Sequence, residues 1–297
     1  MSAPCSRVGW VGAWLGVGGR PRVRCGMREK TMSKDIIFEK SAGVARITFN
    51  RPACRNALSM RMCGELIEFI SGLNGDGQTR VVLFGGNGTD FCSGADLREM
   101  TDISGATPHA RAAEVGRNVV EVSQALFGAL DKVEAPVVAA VRGYAIGAGM
   151  QFLLAADLAA LSQTARLAVP QVRLGHTADH GESYYLPRKV GTARAMEILL
   201  LGEFVTAAQA ERFGLANWVV PDAELEAKVE AVVGKLAASP PVAAFGMKAL
   251  LRNGLSHSLE EQFAEELAAV TKCAATEDFV EAMAAAREKR APVFRGG

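Results

Sequence analysis

The sequence predicts an α/β fold with a helical C-terminal part. Short apolar stretches of strand character alternate with helical patterns through the first two thirds of the chain, and helical patterns dominate the last third. Two motifs of the capping-box type, Thr206–Gln209 and Ser258–Glu261, indicate helix starts in that last third. We therefore expect a core over residues 32–205 and a helical subdomain over residues 206–297.

Four stretches predict the strands of the core. Val44–Phe49 alternates apolar and polar side chains, as a strand buried on one face does. Three further apolar runs are Arg80–Phe84, Pro136–Val141 and Asp157–Ser162. Helices are predicted after Ser59, a residue type that caps helix starts, and from Met150 to Ala156.

Two glycine-containing turns share a physical design, because each joins a buried strand to a helix. They are Phe91–Leu97 and Gly147–Met150. Small residues let the backbone approach a ligand closely, and a helix N-terminus presents unpaired N–H groups that favour negative charge. Two such donors on one oxygen would form an oxyanion hole, typically worth about 3–4 kcal/mol per donor. Tight packing of strand on helix is the alternative. A dinucleotide site is disfavoured because the G-x-G-x-x-G order is absent.

Three ordered motifs resemble those of the enoyl-CoA hydratase/isomerase (crotonase) superfamily: Asn50–Leu58, Phe91–Leu97 and Gly143–Gly149. A later segment, Thr206–Pro221, is also similar, and the resemblance runs from about residue 36 to the C-terminus. It implies a spiral core of β-β-α turns with a C-terminal helical region used in trimerisation. Homotrimers or hexamers are the expected assemblies.

The same resemblance implies the site residues. The backbone N–H groups of Ala95 and Ala148 would hold the oxygen of an acyl-CoA thioester. The implied coenzyme A contacts are Arg51, Arg55, Ala57, Asp96, Leu97 and Arg98. Arginine suits phosphate because its guanidinium binds it in a bidentate manner, although a solvated surface charge is the alternative for each arginine. Coenzyme A is part of the substrate, so no separate cofactor and no metal are expected.

The sequence departs from the resemblance at two positions. Family hydratases use two glutamates for proton transfer, and this chain has Gln151 and Gln171 there. An amide hydrogen-bonds water but does not take up a proton at neutral pH. General acid–base catalysis contributes typically ~10²–10⁴-fold per group, so we expect poor hydration activity.

The following loop carries ionisable residues where hydratases commonly have small uncharged ones. They are His176, Asp179, His180 and Glu182. Some family isomerases and a dehalogenase are similar in placing an aspartate where Asp179 falls, which makes it the leading proton carrier, with His180 as its candidate partner. Capping or surface roles are the alternatives, and Glu182 fits a first-turn helix charge.

Composition narrows the remaining possibilities. The formal net charge is +1, so no global charge favours nucleic acid or an anionic membrane surface. Scattered cysteines and the lack of a long apolar run fit a cytoplasmic protein without disulfides. The first 31 residues are basic and glycine-rich, and we interpret them as a disordered or artefactual extension, with a targeting peptide as the alternative.

The sequence thus favours an enzyme that stabilises the enolate of an acyl-CoA through backbone donors. A double-bond shift, or another lyase or hydrolase reaction, fits better than classical hydration. A non-catalytic acyl-CoA-binding protein is the alternative, which the two glutamines support and the charged loop opposes.

Overall fold

The computed structural model describes residues 29–99 and 105–296. The strands there are β1 (Glu29–Met32), β2 (Ile36–Ser41), β3 (Val44–Phe49), β4 (Val81–Gly86), β5 (Val137–Val141), β6 (Tyr144–Ile146), β7 (Leu158–Ser162), β8 (Arg166–Ala168), β9 (Val205–Thr206) and β10 (Trp218–Val220). The helices are α1 (Met60–Ser71), α2 (Pro108–Asn118), α3 (Ala125–Asp131), α4 (Ala148–Ala155), α5 (Glu182–Leu201), α6 (Ala207–Phe213), α7 (Leu225–Ala237), α8 (Pro241–Asn253), α9 (Leu259–Ala274) and α10 (Glu277–Glu288).

The strands form a seven-stranded sheet and a small three-stranded sheet. The large sheet has the order β1-β2-β3-β4-β5-β7-β10, antiparallel from β1 to β3 and parallel from β3 onward. The small sheet has the order β6-β8-β9. All four predicted core strands are present, which confirms the α/β class. The small sheet was not predicted from the sequence, because strands of two or three residues are too short to show an alternation of apolar and polar side chains.

An aromatic cluster fills the space between the large sheet and helices α1, α3 and α4. Its members are Phe49, Phe84, Phe91, Phe127 and Phe152, with neighbouring ring centroids 5.0 to 6.2 Å apart. Helix α1 begins as predicted, because Ser59 accepts a hydrogen bond from the N–H of Met62. The cluster fixes α4 against the sheet, and α4 is the helix that begins at the second glycine turn.

The chain beyond residue 205 is mostly helical, and both predicted capping boxes are present at α6 and α9. This part also adds β10 to the large sheet, parallel to β7. Helix α8 is tied to the core because Lys248 donates to the carbonyl of Ala135 at 2.8 Å and pairs with Asp157 at 2.7 Å. The division at residue 206 stays a prediction, as does the trimerisation role of the helices.

The predicted extension over residues 1–31 lies outside the described residues up to position 28. Its last residues belong to β1, which pairs with β2 at the edge of the large sheet. In the described part of the chain, no helix combines the length and apolar character needed to span a membrane.

Helix α4 approaches the first glycine turn so closely that a side chain at Gly149 has no room. A Cβ there would lie 2.2 Å from the carbonyl oxygen of Cys92. Gly128 in α3 is the contrasting case, because a Cβ there meets nothing within 4 Å. Gly149 is therefore required by packing between two chain segments.

We expect Gly149→Ala to lower the free energy of unfolding by about 1–3 kcal/mol, since the added methyl group overpacks the contact with Cys92. Gly128→Ala is the matched control, and it should raise stability by up to about 1 kcal/mol because alanine is the better helix former. Urea denaturation of both variants measures the effect. Equal stability of the two variants would contradict the packing argument.

Candidate active site

The two glycine turns lie side by side because their backbones pair. The N–H of Cys92 donates to the carbonyl of Tyr144 at 2.9 Å, and the N–H of Ile146 donates back to Cys92 at 3.0 Å. Gly94 follows with a left-handed φ of +95°, and a Cβ there would lie 2.8 Å from the carbonyl oxygen of Ile146 and 3.9 Å from the nitrogen of Ala148. The turn that carries Ala95 therefore faces the start of α4.

The N–H groups of Ala95 and Ala148 have no hydrogen-bond acceptor among the described residues. On either side of Ala95, the carbonyl of Gly94 and the N–H of Asp96 both bond to Leu58, so the backbone around this N–H is held in place. Ala148 is the first residue of α4, and its helical backbone shows that alanine fits there without strain. The preceding residue, Gly147, instead has a positive φ of +53°. Two fixed donors are thus available at adjoining turns.

Arg51 is turned inward to Asp96, next to the first donor. Its guanidinium donates to Asp96 at 2.9 Å and to the carbonyl of Ala57 at 2.7 Å, and its side chain is 17% exposed. Arg98 donates two hydrogen bonds to the same carboxylate, at 2.8 and 2.7 Å. The hydrogen bonds from Arg98 lower the pKa of Asp96. Burial acts in the opposite direction but is outweighed, and the hydrogen bond from Arg51 lowers the pKa further. Arg51 and Asp96 therefore hold the turn together.

Arg98 and Arg55 remain accessible at the surface. The Arg98 side chain is 67% exposed, and Arg55 is 63% exposed with its guanidinium 5.0 Å from the ring of Tyr144. Leu97 is also exposed, whereas Ala57 is buried. Of the six predicted coenzyme A contacts, these three exposed side chains have the access that a phosphate or nucleotide requires, and the role of all six stays a prediction.

The two glutamines are buried and approach the charged loop from different elements. Gln151 lies on α4 one turn after Ala148, and both of its side-chain polar atoms lack a partner in the described part of the chain. Gln171 donates to Glu182 at 2.7 Å and to Asp179 at 3.3 Å, while its Oε1 has no partner among the described residues. A Cβ on Gly181 would lie 3.4 Å from Gln151 Nε2, which places that amide beside the loop.

Asp179, His180 and Glu182 form one ion-paired cluster. His180 Nδ1 lies 2.9 Å from Asp179 Oδ1 and 3.2 Å from Glu182 Oε1. The other Glu182 oxygen accepts the backbone N–H groups of Asp179 and His180 at 3.2 and 2.9 Å. Asp179 and His180 precede α5, whose N-cap is Gly181, so these adjacent side chains are free of the helical geometry that would separate them.

The charges in this cluster shift one another's pKa values. Burial opposes a charged His180, but the bonds to Asp179 and Glu182 outweigh it and raise the pKa of His180 to about 9. Burial likewise opposes the charges on Asp179 and Glu182, yet His180 lowers the pKa of both carboxyl groups. At neutral pH the cluster holds two carboxylates and one imidazolium, which gives a net charge of −1.

Glu182 has a larger role than a first-turn helix charge. It is fully buried, and its two oxygens accept bonds from Gln171, His180 and two backbone N–H groups. The contact between Glu182 and Gln171 could not be predicted from a sequence pattern, because the two residues are eleven positions apart. His176 has an exposed ring that contacts the carbonyl of Thr177, and its charge adds to the lowering of the pKa of Asp179.

The cluster also has the residue types of a metal site. One ligand atom from each of Asp179, His180 and Glu182 lies within 4.8 Å of the others. The same three side chains also pair with one another without an ion, because His180 Nδ1 contacts an oxygen of both carboxylates.

A separate groove of about 880 Å³ lies between the core and the C-terminal helices. Tyr184 and Tyr185 line it together with Lys248 and Arg252 of α8. None of the six candidate catalytic residues lines this groove. Its cations hold α8 to the core through backbone carbonyls and Asp157, which makes it a packing boundary.

Comparisons with known proteins identify the family. The family model described as enoyl-CoA hydratase/isomerase matches residues 39–297. The 2,3-dehydroadipyl-CoA hydratase of Escherichia coli K12 is 32% identical over 263 residues, which cover 88% of this chain and 99% of that protein. The short-chain-enoyl-CoA hydratase of Clostridium acetobutylicum is 32% identical over 257 residues, covering 86% of this chain and 95% of that protein.

A solved structure of an enoyl-CoA hydratase from Bacillus anthracis superposes with a TM-score of 0.81 at 30% identity, covering 89% of this chain and 100% of that one. The chain therefore belongs to the enoyl-CoA hydratase/isomerase family, which is a family of enzymes, and it has the crotonase fold. The predicted resemblance and fold are confirmed.

The raised pKa of His180 predicts a specific pH dependence of stability. A group whose folded pKa lies above its ordinary value of about 6.5 stabilises the fold fully at lower pH, and this contribution is lost as pH rises through about 9. We expect the advantage of the wild type over His180→Gln in free energy of unfolding to shrink by about 2–3 kcal/mol from pH 7 to pH 10. Chemical denaturation at a series of pH values measures it.

His109→Gln is the control, because His109 is exposed on α2. Its difference from the wild type should stay flat across the same range. A flat difference for His180→Gln as well would show that the cluster does not hold a charged imidazole.

Proposed function

We propose that the protein is an acyl-CoA enzyme that stabilises a thioester enolate with the N–H groups of Ala95 and Ala148. The observation that carries this proposal is the close approach of the two turns, in which both N–H groups lack an acceptor among the described residues. Preorganised donors of this kind stabilise the oxyanion most where charge develops during the reaction. Family membership and the hydratase names of the relatives support the thioester substrate.

Asp179 is the proton carrier in this proposal. Its pKa is lowered by His180 despite burial, so it is ionised and able to accept a proton at neutral pH. Transfer of the proton from the carbon next to the thioester to Asp179 leaves the bonding pair on the acyl group, and the thioester oxygen gains the charge. When the chain carries a double bond between its third and fourth carbons, return of that proton to the fourth carbon moves the double bond to the second and third carbons, which is isomerase chemistry. His180, held protonated, stabilises the carboxylate and is a candidate proton donor.

Gln151 and Gln171 make efficient hydration improbable on chemical grounds. Neither amide accepts the proton of an attacking water. Gln171 also suits its surroundings better than a glutamate would, because its N–H bonds to Glu182 at 2.7 Å. A third carboxylate there would repel the two that are already present.

The protein is further proposed to act as a homotrimer or hexamer. Helix α9 exposes Leu259, Phe263 and Leu267 at four-residue spacing, so these side chains form an apolar stripe on one face. A contiguous apolar surface of this kind supports contact with another copy.

We expect the wild type to hydrate crotonyl-CoA at least ~10²-fold more slowly than a family hydratase, since both proton-transfer carboxylates are replaced by amides. Loss of the enoyl thioester absorbance measures the rate, with the Clostridium acetobutylicum hydratase as the reference. A rate comparable to that of the reference would contradict the proposed role of the glutamines.

Enolate formation is measured directly by exchange of the C2 hydrogens of an acyl-CoA in D₂O, because exchange requires no knowledge of the final product. We expect the wild type to catalyse exchange and Asp179→Asn to reduce it ~10²–10⁴-fold. Mass spectrometry of the thioester gives the rate. Glu226→Gln, at an exposed carboxylate outside the site, is the control and should exchange like the wild type.

The outcomes of the exchange experiment separate the two candidate functions. Tight binding of acyl-CoA without exchange would favour the non-catalytic binder. Exchange that survives Asp179→Asn would remove Asp179 from the mechanism while leaving the oxyanion hole in place. Failure to bind any acyl-CoA would refute the proposed function itself.

A further inference from the structure

Four side chains of the candidate site, those of Asp179, His180, Glu182 and Gln171, bring one polar atom each close together. His180 Nδ1 lies 2.9 Å from Asp179 Oδ1 and 3.2 Å from Glu182 Oε1. The amide nitrogen of Gln171 lies 2.7 Å from the same glutamate oxygen and 3.3 Å from the same aspartate oxygen. Two carboxylates, one imidazole nitrogen and one amide group therefore converge.

The spacing of these four atoms is close to that of a tetrahedral zinc site. Zinc binds imidazole nitrogen and carboxylate oxygen at about 2.0–2.2 Å, which sets neighbouring ligand atoms of a tetrahedron about 3.3–3.6 Å apart. The four separations in this cluster run from 2.7 to 3.3 Å. On average, each atom has to move outward by only a few tenths of an ångström to hold the ion.

The amide of Gln171 is the feature that points to a ligand beyond the ion pairs. Gln171 is 4% exposed, and its Oε1 has no hydrogen-bond partner among the described residues. Rotation of the amide by 180° exchanges its oxygen and nitrogen, so that the oxygen faces the two carboxylates. Without an ion the nitrogen is the better neighbour of these carboxylates, and with an ion the oxygen becomes a fourth ligand. The amide therefore suits a site that alternates between both states.

The charged ligands are oriented by groups around them. The second oxygen of Glu182 accepts the backbone N–H groups of Asp179 and His180 at 3.2 and 2.9 Å, which leaves Oε1 directed at the imidazole. The ring of His180 meets that of Phe127 edge to face, with the centroids 5.7 Å apart. Contacts of this kind hold metal ligands in position and raise the affinity for the ion. Asp179 is 16% exposed, so an ion reaches the cluster from its side.

The charge of the cluster favours a divalent cation. Asp179, Glu182 and a protonated His180 give a net charge of −1. A divalent ion takes the place of the imidazole proton, and the two carboxylates then balance its charge. The mixture of imidazole nitrogen and carboxylate oxygen suits Zn²⁺ better than Ca²⁺ or Mg²⁺, which prefer oxygen ligands alone.

We propose that Asp179, His180, Glu182 and Gln171 form a binding site for one divalent transition-metal ion, of which Zn²⁺ fits best. The ion takes no part in the proposed reaction. It binds the Asp179 oxygen that accepts the substrate proton, so the bound ion holds the enzyme inactive. This inhibitory effect rests on the proposed function, whereas the binding site itself does not.

Isothermal titration of the metal-stripped protein with zinc chloride tests the site. We expect one ion to bind per chain, and elemental analysis after gel filtration should give the same stoichiometry. His180→Gln removes the imidazole nitrogen and should weaken binding ~10-fold or more. His109→Gln is the matched control, because His109 is exposed on α2, and it should bind zinc like the wild type.

Position 171 offers a test in the opposite direction, which also decides the matter if His180→Gln does not fold. Gln171→Glu exchanges a neutral ligand for a charged one, so it should bind zinc ~10-fold or more tightly than the wild type. Gln171→Leu removes the ligand oxygen and should bind more weakly. Thermal unfolding with and without zinc provides a second measurement, because an ion that binds the folded state raises Tm.

Hydrogen exchange of an acyl-CoA in D₂O tests the inhibitory effect. One equivalent of zinc chloride should abolish exchange by the wild type, and EDTA should restore it. Exchange that Asp179→Asn abolishes but bound zinc does not would show that the ion leaves Asp179 free, and this would overturn the inference. Metal-stripped protein that binds acyl-CoA without exchange would count against the proposed function alone, and the zinc titration would then decide the site.

The zinc titrations give clear contrary outcomes. Failure of the wild type to bind zinc would overturn the inference. Binding that His180→Gln leaves unchanged would place the ion at another histidine or at the surface, which would overturn it as well. Weaker binding by Gln171→Glu than by the wild type would contradict the proposed ligand set.

Discussion

The backbone pairing of Cys92 with Tyr144 and Ile146 is the contact on which the candidate site depends. These hydrogen bonds bring together two segments that are about fifty residues apart along the chain, and Gly149 lets α4 begin directly against them. The positions of both N–H donors follow from that contact. In the phenylalanine cluster, Phe49 packs against both Phe91 of the first turn and Phe152 of α4, and Asp96 pairs with Arg51 and Arg98. Rigid donors of this kind need no reorganisation when charge develops on a bound oxygen.

The charged loop and Gln171 form the second half of the site. Side chains build this half, and they hold one another in position by hydrogen bonds. Glu182 fixes the amide of Gln171, the ring of His180 and the backbone of Asp179 at once. The protonation states of these groups are therefore coupled, and a change in one of them alters the charge felt by the others. Gln171 adds a hydrogen-bond donor to this group of side chains without adding a charge. The amide of Gln171 thus fits a surrounding that already holds two carboxylates and one imidazole.

The sequence was sufficient for the parts of the structure that depend on local pattern. The apolar runs predicted β4, β5 and β7, and capping residues predicted the starts of α1, α6 and α9. Contacts between distant residues were not predictable in the same way. The pairing of Arg51 with Asp96 spans 45 positions, and it turns inward an arginine that the resemblance assigns to coenzyme A. Likewise, only the fold shows that Glu182 reaches Gln171 and that the Gln151 amide has no partner among the described residues.

The proposed oxyanion hole is built from backbone atoms, which has a consequence for how this protein tolerates sequence change. Substitution of Ala95 or Ala148 by another small residue leaves the backbone N–H in place. The two donors therefore do not depend on the identity of the side chain. The vulnerable positions are the neighbouring glycines, Gly94 and Gly149, where a Cβ would strike a carbonyl oxygen. Neutral mutations can therefore change the side chains around the two N–H groups one by one while both donors stay in place. Under the proposed function, a lineage with this architecture is able to change its reaction while it keeps the donors that bind the thioester.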